Sequence, residues 1–241
     1  MRRKLFAGLG VLLITYTSFS QAPADTTFIV TAKKNTINLH QQALRTQSRL
    51  YNGSKYAAPK QTFEEHPYFG SEDWITGGVF YDGEYFADIP LMYDLYLDAL
   101  VTEHYPSGHF LQLVREKLQH FSLGDHYFEK IDNESVSNSL PKSGFYEILY
   151  DGRTRLVALR QKFLREKIEA PNIIVTYEER NRYFVLRDSA FFPVKSKASM
   201  FKLLEDRKRE LKRFLKQKQI KFSSNREALL KTLAEYYDTL K

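Results

Sequence analysis

Residues 89–97 interleave Ile89, Leu91, Tyr93, Leu95 and Leu97 with Pro90, Met92, Asp94 and Tyr96. A period of two puts alternate side chains on one face, which predicts a strand. Just upstream, Tyr81-Asp82-Gly83 sets Asp-Gly between two aromatic-rich runs, and a tight hairpin turn needs residues that accept positive φ. Residues 77–105 therefore predict the opening of a β-meander, with Asp94 and Asp98 on one face if the strand runs on unbroken.

The same signals recur downstream. Pro106-Ser107-Gly108 separates two further strand-like runs, and residues 117–132 predict two short strands joined at Leu123-Gly124-Asp125. Residues 133–141 are polar and read as a loop. Residues 144–150 and 153–163 flank Asp151-Gly152, a second Tyr-Asp-Gly turn signal. Residues 173–177 and 182–186 are expected to pair around a turn at 178–181, and residues 190–194 to close the sheet, with Pro193 at its edge or end. Ahead of the meander, residues 25–34 are a first strand or an ordered lead-in, residues 38–50 a short helix stopped at Tyr51-Asn52-Gly53, and residues 57–74 a loop.

Near residue 195 the period changes to that of a helix. Met200, Phe201, Leu204, Leu211, Phe214 and Leu215 fall on one broad face, with Lys and Arg on the other. Ser224 and Glu227 have capping-box spacing ahead of Leu229, Leu230, Leu233, Tyr236, Tyr237 and Leu240, so two helices joined by a short turn are expected. The class is α+β, mainly antiparallel β: a meander-type sheet or a sandwich, with a short N-terminal helix and a C-terminal two-helix hairpin. The expected segments are a signal peptide at 1–20, a lead-in with a short helix at 21–56, the antiparallel β domain at 57–194 and the basic helical hairpin at 195–241.

The leader rests on Arg2, Arg3 and Lys4 ahead of an apolar run at residues 5–14, too short for the roughly 20 residues that span a bilayer. Cleavage is expected near Ser20-Gln21, with no transmembrane span afterwards. The chain has no cysteine, which excludes disulfides, thiol catalysis and Cys-ligated zinc. Its 43% hydrophobic content points to a packed core rather than disorder. The formal charge of +7 falls to +4 once the three cations of the leader are removed. Residues 61–114 hold ten Asp or Glu and no Lys or Arg, whereas residues 196–241 are basic. That tail also carries six acidic residues, so it reads as a solvated helix surface and not as a nucleic-acid site. Docking of its basic flank on the acidic strands is expected, with hydrophobic burial supplying most of the stability; the competing reading is that the basic helices point outward, toward anionic lipid or glycan, while the acidic strands face water or a cation.

Candidate chemistry is sparse. The six histidines, His40, His66, His104, His109, His120 and His126, form no short metal-binding signature, although His104 and His109 flank the Pro106-Ser107-Gly108 turn and are expected to face each other. Asp82, Asp88, Asp94 and Asp98 are carboxylates of the kind that serve glycoside hydrolysis or calcium binding, yet such groups also cap turns or line the wet face of a strand. Asp82, Asp94, Asp98, His104 and His109 are the candidate binding residues. No catalytic residue, metal ligand set or cofactor is assigned, and neither a GxSxG motif nor a phosphate-binding glycine loop is present.

The segments LYNGSKY, HPYFGSEDW, GGVFYDGEYFADIPLMYDLYLDALV, HFSLGDHYF and SGFYEILYDG, in this order, resemble a set of exported Bacteroidota proteins of unknown function over residues 50–165. A leader ending in SFSQ agrees with that origin. The resemblance implies an exported β-rich protein, periplasmic or secreted, and assigns no activity or site residue. The expected function is non-enzymatic: binding of a protein or envelope component, or a scaffold role. An enzyme acting on glycan or lipid, motivated by the acidic, aromatic stretch, and a carrier of an apolar ligand are the alternatives.

Overall fold

Asp82 (φ 51°) and Gly83 (φ 84°) both adopt the left-handed backbone, and Tyr81 pairs with Glu84 across them. That is the two-residue turn whose twist matches the flanking strands. It organises the sheet of the computed structural model, which describes residues 49–58, 65–104, 107–132, 140–169, 172–218 and 225–240. The leader, the lead-in at 25–34, nearly all of the helix expected at 38–50, Ser224 and most of the loop at 133–141 lie outside these residues.

The strands among them are β1 (Ser54–Lys55), β2 (Ile75–Tyr81), β3 (Glu84–Asp94), β4 (Ala99–His104), β5 (His109–Gln112), β6 (Leu118–Leu123), β7 (His126–Ile131), β8 (Gly144–Tyr150), β9 (Arg155–Glu169), β10 (Asn172–Arg187) and β11 (Ala190–Pro193). They form one antiparallel sheet in the order β1-β5-β4-β3-β2-β6-β7-β8-β9-β10-β11. Of the two arrangements expected, the meander is the one found. The chain runs outward from β2 to β5, then returns through Leu113–Lys117 to lay β6 on the other side of β2. The Tyr81 hydroxyl accepts the Val114 N–H on that return, and the Asp82 N–H donates to the Lys117 carbonyl.

The sheet is bent. A register shift between Gly77 and Val79 and a positive φ at Asp88 place a bulge halfway along the β2–β3 pair, and bulges increase local twist. The tip of β3 thereby folds over β6–β8. Tyr93 meets Phe121, Phe128 and Phe145 edge to face, at 5.1, 5.2 and 6.4 Å between ring centres. Leu50, Val79, Tyr81, Leu91, Leu100, Leu118 and Phe121 complete this buried interior. On the opposite face Tyr56, Tyr68, Met92 and Val101 form a smaller cluster with Trp74 and Phe110.

Four expectations are corrected. Strand β3 stops at Asp94, because the Asp94 carboxylate accepts the Tyr96 and Leu97 N–H groups (2.8 Å each) and Asp98, at φ 57°, turns the chain so that Ala99 pairs with Asp94. Asp94 and Asp98 thus stand at the two ends of a turn, not on one strand face, and Leu97 is exposed. Residues 178–181 are not a turn: β9 and β10 form one long ribbon with Glu178 opposite Phe163 and Asn181 opposite Arg160. The polar run is the stretch where the ribbon leaves the core, so its local composition resembles that of a loop.

The third correction concerns the helices. The described residues hold three: α1 (Lys197–Leu203), α2 (Lys208–Gln217) and α3 (Arg226–Thr239). Leu204 leaves the helical region (φ −103°, ψ 42°), so the first expected helix is two, joined by a 3-10 turn at Glu205–Arg207. The α3 cap is Asn225, whose side chain accepts the Ala228 N–H. The fourth is electrostatic. The apolar face of the helices does cover the sheet, with Met200, Leu204, Leu211, Leu215, Leu230 and Leu233 against Leu156, Ala158, Tyr183 and Val185, but those residues belong to β9 and β10, not to the acidic strands. Arg209, Lys212, Arg213 and Lys216 are exposed to solvent. The acidic strands find their cations elsewhere, as the site residues show.

Candidate functional site

Of the sequence candidates, Asp82, Asp94, Asp98 and His104 are held by their neighbours, and His109 is exposed. Asp82, in the left-handed turn, pairs with Lys117 at 3.0 Å. Asp98 accepts the Tyr93 hydroxyl (2.6 Å) on one oxygen and meets Lys142 (2.9 Å) and Arg115 (3.0 Å) on the other. Burial and then the Asp98 charge push the Tyr93 phenol well above its ordinary pKa, so the proton stays on the tyrosine. Asp98 also borders a cavity of about 600 Å3 with Leu97, Gln112, Arg115 and Glu116. His104 and His109 do stand opposite each other in the β4–β5 register. His104 Nδ1 lies 2.7 Å from the Ser107 hydroxyl, and its ring meets Tyr51 edge to face. Among the described residues no three His, Asp or Glu side chains converge as metal ligands.

Asp94 is the deepest of the candidates, 1% exposed. One oxygen caps the turn, and the other accepts the Tyr56 hydroxyl at 2.6 Å. Burial first, then the bond to Asp94, raises the Tyr56 pKa. Beside it, Lys162 of β9 is buried, donates from Nζ to the His66 carbonyl (2.8 Å) and from its backbone N–H to the Leu95 carbonyl (3.2 Å). Burial lowers the Lys162 pKa, opposed by the charge of Glu179 and weaker fields from Glu65 and Asp94. The Asp94 turn is therefore clasped to the ribbon, which closes the curl of the sheet. Both carboxylate oxygens are occupied, so the group acts as a structural clasp.

Sequence reasoning missed the main buried ionic cluster. Glu147 of β8 accepts Arg160 Nε (2.6 Å) and Nη2 (2.5 Å) on one oxygen, and its other oxygen lies 2.5 Å from His126 Nδ1. Arg160 Nη2 also reaches Glu227 of α3 at 2.6 Å, and the Tyr183 hydroxyl donates to the same carboxylate. Burial lowers the Arg160 pKa, but Glu147 and Glu227 outweigh it and the guanidinium is held charged. A signal was present: Glu147 and Arg160 stand in strands apolar on both phases, with Phe145 and Tyr146 on β8 and Leu156, Val157, Ala158 and Leu159 on β9, and a charge in a strand covered on both faces needs a buried partner.

The ribbon is the other feature that composition concealed. Beyond Lys162 the described side chains of β9 stand out from the core, Phe163 39%, Leu164 41% and Ile168 80% exposed, while Tyr177 of β10, opposite Leu164, is buried against Tyr96. Arg180 lies over the Phe163 ring at 4.9 Å, and Arg165 pairs with Glu178 at 2.5 Å across the strands. No protein-family model matches this chain, and neither a curated protein nor a solved structure matches it.

Proposed function

We propose that this chain is an exported, non-enzymatic binding protein of the Bacteroidota envelope, and that it engages a protein partner through the free length of the β9–β10 ribbon. The observation that carries this reading is Ile168, four-fifths exposed on a paired strand with Phe163 and Leu164 at hand. Apolar side chains on a ribbon already rigid through its backbone ladder give a partner contact area at little ordering cost. Two further features support binding over the alternatives. Tyr93, Phe121, Phe128 and Phe145 fill the inside of the curl, where a carried apolar ligand would sit. Asp82, Asp94 and Asp98 each spend their carboxylates on turns and ion pairs, which disfavours a glycan hydrolase built on them.

The test is site-specific photocrosslinking in the native host, with the reactive group at Ile168 and, as control, at exposed Lys212 on α2. A discrete adduct from Ile168 that vanishes in a Phe163→Ser, Leu164→Ser background is the expected result. Identical patterns from the two positions would remove the ribbon as the contact surface. Mass spectrometry of the mature N-terminus checks export independently, with a product beginning near Gln21 expected and one beginning at Met1 overturning it.

A further inference from the structure

The register of β3, β2, β6 and β7 lines up four rings on the face of the sheet opposite Val79, Tyr81 and Phe121. Tyr85 pairs with Phe80, and Phe80 with His120. Residues directly opposite in an antiparallel pair share a face, and Tyr127 joins them from the diagonal position, because Glu129 stands opposite His120. The side chains meet as the register requires. Phe80 and His120 stack at 5.1 Å between ring centres, and the His120 and Tyr127 rings lie 5.5 Å apart. Tyr85 lies down over Gly78, where an added Cβ would come within 2.0 Å of its hydroxyl, so glycine at 78 is what lets the ring rest on the sheet.

The row is open to solvent: Tyr85 is 51% and Tyr127 39% exposed, and Phe80 and His120 are half-buried. Four adjacent strands give it a length of about 14 Å. It is built of rings, three of them carrying a hydrogen-bonding atom. The ions at its β7 end lean to the acidic side, since Glu129 (2.6 Å) and Asp151 (3.0 Å) share the one guanidinium of Arg155. Burial first, then the Glu129 charge against that of Arg155, raises the Tyr127 phenol pKa, so its hydroxyl keeps a proton to donate. Two carboxylates on one cation accept hydroxyl groups and repel phosphate headgroups and acidic polymers.

We infer that this row is a platform for a neutral, extended glycan, a β-1,4-linked oligosaccharide laid across β3, β2, β6 and β7. The C–H faces of its sugar rings stack on Tyr85, Phe80, His120 and Tyr127, because the negative face of an aromatic ring attracts hydrogens polarised by the sugar oxygens. Its hydroxyl groups reach the Tyr127 hydroxyl and the carboxylates of Glu129 and Asp151 at the edge. A straight row on a sheet fits a straight chain and not a coiled one, and a single sugar would cover only part of it. The platform is separate from the ribbon surface, so it stands or falls independently of the proposed partner.

Calorimetry on the purified protein with cellohexaose, xylohexaose and chitohexaose, and with hexagalacturonate as the acidic chain, tests it. Binding of at least one neutral hexasaccharide, and far weaker binding of hexagalacturonate, is expected. Tyr127→Ala and Tyr85→Ala should each weaken that binding by about tenfold. Tyr127→Phe, which keeps the ring, should weaken it much less, and Phe192→Ala, at an exposed ring on β11, should leave it unchanged. Should Tyr85→Ala unfold the chain by uncovering Gly78, the two Tyr127 variants decide alone. Failure of all three neutral chains to bind at millimolar concentration, equal binding of hexagalacturonate, or a loss in Phe192→Ala as large as in Tyr127→Ala overturns the assignment.

Discussion

A glycine is demanded either by the backbone or by a neighbour, and the two Tyr-Asp-Gly triplets of this chain show both cases. Gly83 sits at φ 84° with open space where a Cβ would stand, so its requirement is conformational. Gly152 has no left-handed φ; a Cβ there would overlap the Tyr150 hydroxyl and Asp238 Oδ2. Gly83→Val should therefore cost about 1 kcal/mol or more in any background. The cost of Gly152→Val should shrink when Asp238→Ala removes one of the two obstructions and the partner that holds the Tyr150 hydroxyl there, and chemical denaturation of the four variants checks the contrast. Asp238 carries a pH dependence of its own. Its burial raises the carboxyl pKa, but the Thr154 and Tyr150 hydrogen bonds and Arg153 outweigh that and hold it below the ordinary value. A depressed folded-state pKa means stability present above the unfolded value near 3.8 and lost as pH falls through the folded one. The stability gap between wild type and Asp238→Asn should close as pH is lowered below that value, as urea titrations across the acid range would show.

At the scale of the element, the β8–β9 pair carries the main internal charge of the fold. Arg160 and Glu147 are both buried, and Glu227 ties the same guanidinium to α3. Removing one partner of a buried ion pair leaves the other charge without compensation, so Arg160→Met should destabilise the protein by about 3–5 kcal/mol. Adding Glu147→Leu should recover part of that loss, because the stranded carboxylate is gone; equal denaturation midpoints for the single and double variants would contradict this. The ribbon behaves oppositely. Ile168 is already in water, so Ile168→Ser should move stability by no more than about 0.5 kcal/mol while altering the proposed partner contact.

For the whole molecule, the helices hold to the sheet by apolar burial and the Arg160–Glu227 pair, not through the basic face of α2. Arg209, Lys212, Arg213 and Lys216 face solvent, and Arg209/Arg213 and Lys212/Lys216 stand one helical turn apart as like charges. Reversing all four to Glu replaces one mutual repulsion by another and breaks no ion pair to β2–β5. Thermal melts at low and high salt should show little change in stability. A large loss at low salt that added salt relieves would mean the helices depend on attraction to acidic partners after all.

What was legible in the sequence is local. The period of two, the Asp-Gly at 82–83, the Leu123-Gly124-Asp125 turn and the helical period after residue 195 depend on neighbours in the chain, and each led to an element of the right kind. The end of β3 was not legible, because Leu95 and Leu97 continue the alternation while Asp94, through its own turn hydrogen bonds, breaks the strand. The ribbon was not legible because the outer part of β9, exposed on both phases, has no periodicity to display. The clasp at Asp94 and the Glu147–Arg160–Glu227 cluster join side chains far apart in sequence. Only the bend of the sheet and the docking of α3 decided those meetings, since which charges are buried, and against what, is a property of packing and not of any one stretch of chain.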